Sequence, residues 1–221
     1  MREPERRVGQ VELTVVHVDS ALVVINKPPG QLSVPGRGPE KADCAYARVL
    51  AVYPDAEVVH RLDMDTSGLL LFARGKLAQR VLSMAFAARE VHKRYIAQID
   101  QDAQAVYSAC NHDVDGWAQI DLPMRVDWPQ RPKSVIDPEA GKPSLTRWRP
   151  SADNPHRLIL EPVTGRSHQL RVHLSAMGMP IVGDPLYGGT QASRMMLHAC
   201  DLWLPPTQIN SAQHFHAPPL F

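Results

Sequence analysis

His60-Arg61-Leu62-Asp63-Met64-Asp65-Thr66-Ser67-Gly68 runs without a break into Leu69-Leu70-Leu71-Phe72-Ala73. The second half is a short apolar run with the length of a buried strand. The first half is polar, ends in glycine, and carries a histidine, an arginine and two carboxylates. A polar loop tied to a buried strand suits chemistry, because the strand fixes the geometry of the loop. Asp63 and Asp65 stand at i and i+2, so in an extended chain they point to opposite sides and cannot work as a facing acid–base pair. Read alone, both carboxylates can equally serve as acceptors for loop N–H groups.

Working outward, the flanks predict more strands than helices. Val11–Val18 and Ala21–Ile25 are rich in β-branched residues and form a hairpin around Asp19-Ser20. Pro29-Gly30 suits the centre of a type II turn. Apolar spacing predicts a helix over Lys41–Tyr53, stopped by Pro54, with Ala42, Tyr46, Val49, Leu50 and Tyr53 inward. A second helix is predicted over Lys76–Arg89, with Leu77, Val81, Met84, Ala85 and Ala88 on one face. Val91–Ile99 reads as a strand carrying Lys93, Arg94 and Tyr95. Gln101–Ala118 reads as an irregular surface excursion, Ile120–Val126 as a short strand, and Asp127–Pro143 as a loop. Ser144–Arg149 and Arg157–Pro162 alternate as strands. Ser167 is the expected cap of a helix from His168 to Met177, closed by Gly178. Leu197–Leu204 is a last central strand, and His214–His216 an edge strand. The fold class expected is α+β: one compact domain with a mixed, largely antiparallel sheet flanked by helices and loops. Residues 1–10 read as a loose polar tail.

Composition narrows the function. The chain of 221 residues has a formal net charge of +1, so any nucleic-acid partner must be met by a local basic patch. Cys44, Cys110 and Cys200 are too few and too scattered for a disulfide framework, which fits a cytoplasmic protein. No run approaches a membrane span, and no signal peptide is evident. The ten histidines raise the question of a metal. His168 and His173 are five residues apart, roughly 140° around a helix, and share no face. His214 and His216 share a strand face but have no third ligand nearby in sequence. No metal is expected. There is no P-loop, GxGxxG or GxSxG signature, and Ser167 beside His168 is poor geometry for a nucleophile and its base. Thr164-Gly165-Arg166-Ser167-His168-Gln169-Leu170-Arg171 is a second basic loop. Its Arg166, where a turn meets a helix start, offers a fork of donors to a partly buried aspartate. Arg171 reads as a solvated helix charge.

These blocks resemble one family. His60-Arg61-Leu62-Asp63-x-x-Thr66-Ser67-Gly68 and Thr164-Gly165-Arg166-x-His168-Gln169-Leu170-Arg171-x-His173 are similar to the signatures of the RluA-type pseudouridine synthases. Lys27-Pro28-x-Gly30, Lys93-x-Tyr95, Pro180-Ile181-x-Gly183-Asp184 and Leu197-His198-Ala199 match further blocks in the same order, from about Val11 to the end of the chain. Asp127–Lys133 is similar to the small members that modify both 23S ribosomal RNA and tRNA. Asp102–Ala118 departs from the family pattern, being longer and less basic.

The resemblance implies a catalytic domain over residues 11–221 without the S4-like RNA-binding domain. It implies a cofactor-free isomerase, acting as a monomer on uridines in stem-loops of 23S rRNA, tRNA or both, with no DNA or membrane partner. It places the catalytic aspartate at Asp63, either as nucleophile on C1′ or as base for the 2′ proton. It makes Arg166 the ion-pair partner, Tyr95 the ring that stacks on uracil and Leu170 an apolar contact to the base. Arg61 fills the gap left by the flipped nucleotide, while Lys27, His60 and His198 shape the site. Taken singly, Tyr95 and Leu170 are ordinary core residues and Arg61 is a surface charge. Two other functions fit the same residues: a non-catalytic RNA-binding module, and an N-glycosidic hydrolase using Asp63. Lys93, Arg94, Arg131, Lys133, Lys142, Arg147 and Arg149 are candidates for phosphate contacts.

Overall fold

A computed structural model describes residues 13–221. The proposed tail over residues 1–10 lies outside them. The described residues fall into two compact units. One comprises the chain up to His92 together with Ala199–Leu220, and the other comprises Lys93–His198 together with Phe221.

The first unit is built on the apolar run read from the sequence. That run lies within strand β4 (Ser67–Arg74), which is buried from Ser67 to Ala73. β4 pairs antiparallel with β2 (Leu22–Lys27), Ile25 opposite Leu70 and Lys27 opposite Gly68. β2 in turn pairs with β1 (Val15–Val18), as the hairpin pattern predicts. β3 (Ala56–Val58) is a short extra partner of β4. β11 (Leu197–Leu204) neighbours β4 and carries β12 (Gln213–His216) on its flank. Both faces of β4 are covered, which is why its pattern is continuous rather than alternating. Leu69, Leu71 and Ala73 join a core with Ala78, Leu82 and Ala85 of helix α2 (Gly75–Ala87). On the other face, Phe72 meets the Tyr46 ring of helix α1 (Ala45–Val52) at 6.0 Å.

Gly68 has φ +112°, and a Cβ there would stand 2.3 Å from the Ala199 carbonyl oxygen. Glycine is therefore required where the loop enters the strand.

Two helix assignments shift. α1 starts at Ala45, capped by the Cys44 Sγ accepting from the Ala47 N–H at 3.3 Å, and it buries Ala45 and Val49. In α2 the buried face is Ala78, Leu82 and Ala85, while Leu77 and Met84 are 64% and 63% exposed. Leu82 thus packs between two alanines on the face that meets the core.

In the second unit the strand order is β5 (His92–Gln98), β10 (Arg157–Pro162), β9 (Leu145–Pro150), β6 (Ala118–Asp121), with each of these pairs antiparallel. The expected strand over Ile120–Val126 is two strands broken at Leu122-Pro123, where proline supplies no N–H to a ladder. Its second part, β7 (Met124–Val126), pairs with β8 (Ser134–Ile136) inside the segment expected to be a loop. The expected irregular excursion holds helix α3 (Ala103–Ser108), capped by the Asp102 side chain accepting from the Gln104 N–H.

Helix α4 (Gln169–Ala176) begins where expected, but Ser167 does not cap it. His168 is the cap residue, in a left-handed conformation with φ 58°. Arg171 is not a solvated charge. It is 2% exposed and holds Asp184 through two hydrogen bonds of 2.7 and 2.8 Å. A bidentate guanidinium–carboxylate fork satisfies both buried charges.

His173 is fully buried on α4. Its Nδ1 lies 3.0 Å from the Thr146 hydroxyl and its Nε2 3.0 Å from the Leu122 carbonyl. Burial pushes its pKa below the usual histidine value of 6.5, outweighing the hydrogen bond to Leu122 and the Asp121 charge. The unfolded chain therefore binds a proton that the folded chain rejects. The stability this histidine contributes is complete above pH ~6.5 and is lost as pH falls through the lower folded value. Urea unfolding followed across this range will show stability declining below pH ~6.5, with a shallower decline in His173→Gln.

Candidate active site

The loop from His60 to Thr66 carries little regular structure and is held instead by named hydrogen bonds. Lys27, at the end of β2, is fully buried. Its Nζ donates to the carbonyls of Pro28 (2.9 Å), Gln31 (2.8 Å) and Met64 (2.9 Å). An ammonium has three protons to donate, and all three of these acceptors are backbone carbonyls. Ser33 closes a second clamp. Its hydroxyl donates to the Leu62 carbonyl at 2.7 Å and accepts from the Leu62 N–H at 3.0 Å. His60 Nε2 accepts from the Leu71 N–H at 3.0 Å, and its ring stacks on Phe86 with centroids 4.7 Å apart. Because that nitrogen accepts, it carries no proton in this arrangement. The Thr66 N–H donates to the Asp63 carbonyl at 3.2 Å, closing a turn. Anchors thus precede and follow Asp63, whose side chain is half-buried between the buried Leu62 and the 46%-exposed Met64. Arg61 is exposed and Asp65 half-buried.

In the second unit, the turn before α4 is held by one amide. Gln169 Oε1 accepts from the Thr164 hydroxyl at 2.7 Å and the Arg166 N–H at 3.0 Å. Its Nε2 donates to the Leu145 carbonyl at 2.9 Å and the Thr146 hydroxyl at 3.0 Å. Such a fully used amide fixes the backbone of Arg166. The Arg166 guanidinium donates to the Pro143 carbonyl at 3.3 and 3.2 Å, a neutral acceptor. Leu170 is buried on the first turn of α4. Tyr95 is 9% exposed on β5, opposite Leu160 of β10. Lys93, two residues earlier, lies beside Gly165, and burial pushes its pKa down. Structural logic thus brings Lys93, Arg166 and Leu170 to the turn and first helical residues that the motif marked.

Several of the cations proposed for phosphate are already engaged. Arg94 holds Glu161 at 2.6 Å, and Arg147 holds Asp113 at 2.8 Å. Arg149 lies over the Trp117 ring, 4.6 Å from its centre. Ser33, Gln169, Asp184 and Tyr187 are organising residues to which sequence reasoning gave no role. Gln169 and Asp184 lie inside the matched blocks, which was the available signal; Ser33 carries none. Among the described residues, no three His, Cys, Asp or Glu side chains are placed to hold a metal ion.

The family model for RNA pseudouridylate synthase matches residues 21–176, a span that includes both loops. The chain belongs to this family. It is 41% identical over 213 residues to the dual-specificity RNA pseudouridine synthase RluA of Escherichia coli K12, covering 93% of each chain. It is 43% identical over 216 residues to the protein of the same name from Pasteurella multocida, covering 95% of this chain and 94% of that one. Among solved structures, human RNA pseudouridylate synthase domain containing 1 matches with a TM-score of 0.69 at 30% identity, over 96% of this chain and 86% of that one. The fold is a pseudouridine synthase domain of mixed, mostly antiparallel strands, and the protein is a pseudouridine synthase of the RluA type.

The Lys27 clamp yields a direct expectation. Lys27→Met leaves the Pro28, Gln31 and Met64 carbonyls without their donor, at a cost of about 1–3 kcal/mol in unfolding free energy. Pseudouridine formation should fall by about 100-fold in protein that is still folded, because a displacement of order 1 Å at a reacting group has that effect. Urea melts and a turnover assay on the same preparation check both figures.

Proposed function

We propose that this protein converts specific uridines in structured loops of 23S rRNA, tRNA or both into pseudouridine, with Asp63 as the catalytic residue. The observation that carries the reading is the clamped loop: a fully buried lysine and a buried serine hold the backbone on both sides of Asp63. That rigidity supplies what an enzyme needs of a reacting group. The relatives named dual-specificity synthases support the two classes of RNA.

In the reaction the C1′–N1 bond of uridine breaks and a C1′–C5 bond forms. C5 loses its hydrogen and N1 gains a proton, so the product is an isomer and no oxidant or reductant is consumed. No cofactor is therefore called for by the balance. Asp63 has two roles open to it, attack on C1′ or removal of the 2′ proton, and both need the ionised carboxylate. Arg166 is its proposed partner. A guanidinium resting on a neutral carbonyl gains by exchanging it for a carboxylate, since charge-assisted hydrogen bonds are about twice as strong as neutral ones.

The substrate uridine must leave its stack, which costs a few kcal/mol. Arg61, exposed beside Asp63, is proposed to fill the vacated position with its guanidinium plane. Tyr95 is proposed to receive the uracil ring and Leu170 to contact its edge. Residues 11–221 form the proposed catalytic domain, working as a monomer. The three free cysteines support a reducing, cytoplasmic setting.

Pseudouridine mapping of total RNA, with and without the protein, tests this reading. New pseudouridine at discrete loop uridines is the expected result. Release of free uracil would make the protein a hydrolase instead. RNA binding with no change in any nucleoside would make it a binding module.

A further inference from the structure

We propose that the tip of the β7–β8 ribbon is a stacking platform for an unpaired nucleotide of the RNA substrate, formed by Trp128 with Arg131 beneath it. This rests on the reading of the protein as an RNA-modifying enzyme and adds a second point of contact.

Trp128 is 67% exposed. The other three tryptophans are accounted for by the fold. Trp117 and Trp148 are buried, and Trp203 stacks on His214 with ring centres 4.6 Å apart. Apart from its contact with Arg131, no packing partner accounts for this exposed indole, and tryptophan is among the side chains on which nucleobases stack.

The turn is preformed. The Asp127 N–H donates to the Lys133 carbonyl at 2.9 Å, the Gln130 N–H to the Asp127 carbonyl at 3.1 Å, and the Lys133 N–H to the Gln130 carbonyl at 3.0 Å. Arg131 Nε donates to the Trp128 carbonyl at 3.1 Å, and its guanidinium carbon lies 4.1 Å from the centre of the indole ring. One face of the indole is therefore backed by a cation, which leaves the opposite face to receive a partner. The ribbon itself is rooted. The Ser134 N–H donates to the Tyr187 hydroxyl at 2.8 Å, and that hydroxyl lies 2.7 Å from His168 Nδ1 at the start of α4.

The chemistry of the tip selects a nucleotide as occupant. Arg131 and Lys133 have no carboxylate partner within ion-pair distance among the described residues, whereas Arg125, lower on the ribbon, is paired with Asp137. A flat aromatic face backed by an arginine, with a lysine in the same turn, fits a base on its ring and a phosphate nearby. Because every base has a π-face, the platform asks for an unpaired nucleotide rather than a particular one, and a paired duplex cannot offer it.

The test is a binding titration with a synthetic RNA stem-loop carrying the uridine that mapping identifies, against a fully paired duplex of the same length. Trp128→Ala should weaken the stem-loop by about tenfold and leave the duplex nearly unchanged. Trp128→Phe should recover most of the loss, because a smaller ring still stacks. Equal affinity of wild type and Trp128→Ala for the stem-loop overturns the platform while leaving the enzyme reading intact. An equal loss on stem-loop and duplex also overturns it, since that would be a general electrostatic or folding effect. Self-association of the wild type that Trp128→Ala abolishes would assign the indole to a second copy of the chain and overturn the proposal. A wild type that binds neither RNA overturns both readings together.

Discussion

One buried ammonium sets the geometry of the first unit's loop. Lys27 is fully buried, so its charge has to be met inside the protein, and three backbone carbonyls accept from it. Two of those belong to the turn that follows β2, and the third belongs to Met64, 37 residues further along. The same side chain therefore fastens the Pro28–Gln31 turn to the residue next to Asp63. A neutral side chain of the same length would pack as well but would place no such demand on the backbone. The charge is what makes the arrangement specific, because displacing any of the three acceptors removes a hydrogen bond from a buried cation.

The strands on either side of this loop make the constraint effective. β4 is buried on both faces, and β2 runs beside it in a register that puts Lys27 opposite Gly68. Gly68 admits the Ala199 backbone at a distance no side chain would allow. Sheet and clamp thus converge on the same few residues. The turn in the second unit follows the same economy. Gln169 uses all its hydrogen-bonding capacity on Thr164, Arg166, Leu145 and Thr146, and the Thr146 hydroxyl continues to His173. The backbone on both sides of Asp63 and the backbone N–H of Arg166 are thus held by neighbouring polar groups.

Much of this was legible in the residues. Leu69–Ala73 announces a buried strand, the β-branched runs announce β1 and β2, and ordered motif blocks lead to the family. What was hidden depends on contacts distant in sequence. Arg171 looks like any helix charge until Asp184, in a later loop, reaches it. β8 is short, half-exposed and next to prolines, so nothing local distinguishes it from a loop; its pairing with β7 makes it a strand. The buried face of α2 was partly misread: Ala85 lies on it as expected, but Ala78 and Leu82 complete it where Leu77 and Met84 were expected. Ser33 shows no pattern at all, since one hydroxyl meeting both polar atoms of Leu62 is a purely tertiary event.

In the proposed reaction the carboxylate of Asp63, on a clamped stretch of backbone, performs the glycosidic step. Asp63→Asn keeps the shape and removes the charge, while the anchors at Leu62 and Met64 stay in place. Single-turnover reaction of this variant with a substrate stem-loop, read as pseudouridine formed, is the most direct measurement. Asp63→Asn should fold, bind the RNA as the wild type does and form no pseudouridine. Pseudouridine formation at the wild-type rate would contradict that role for Asp63.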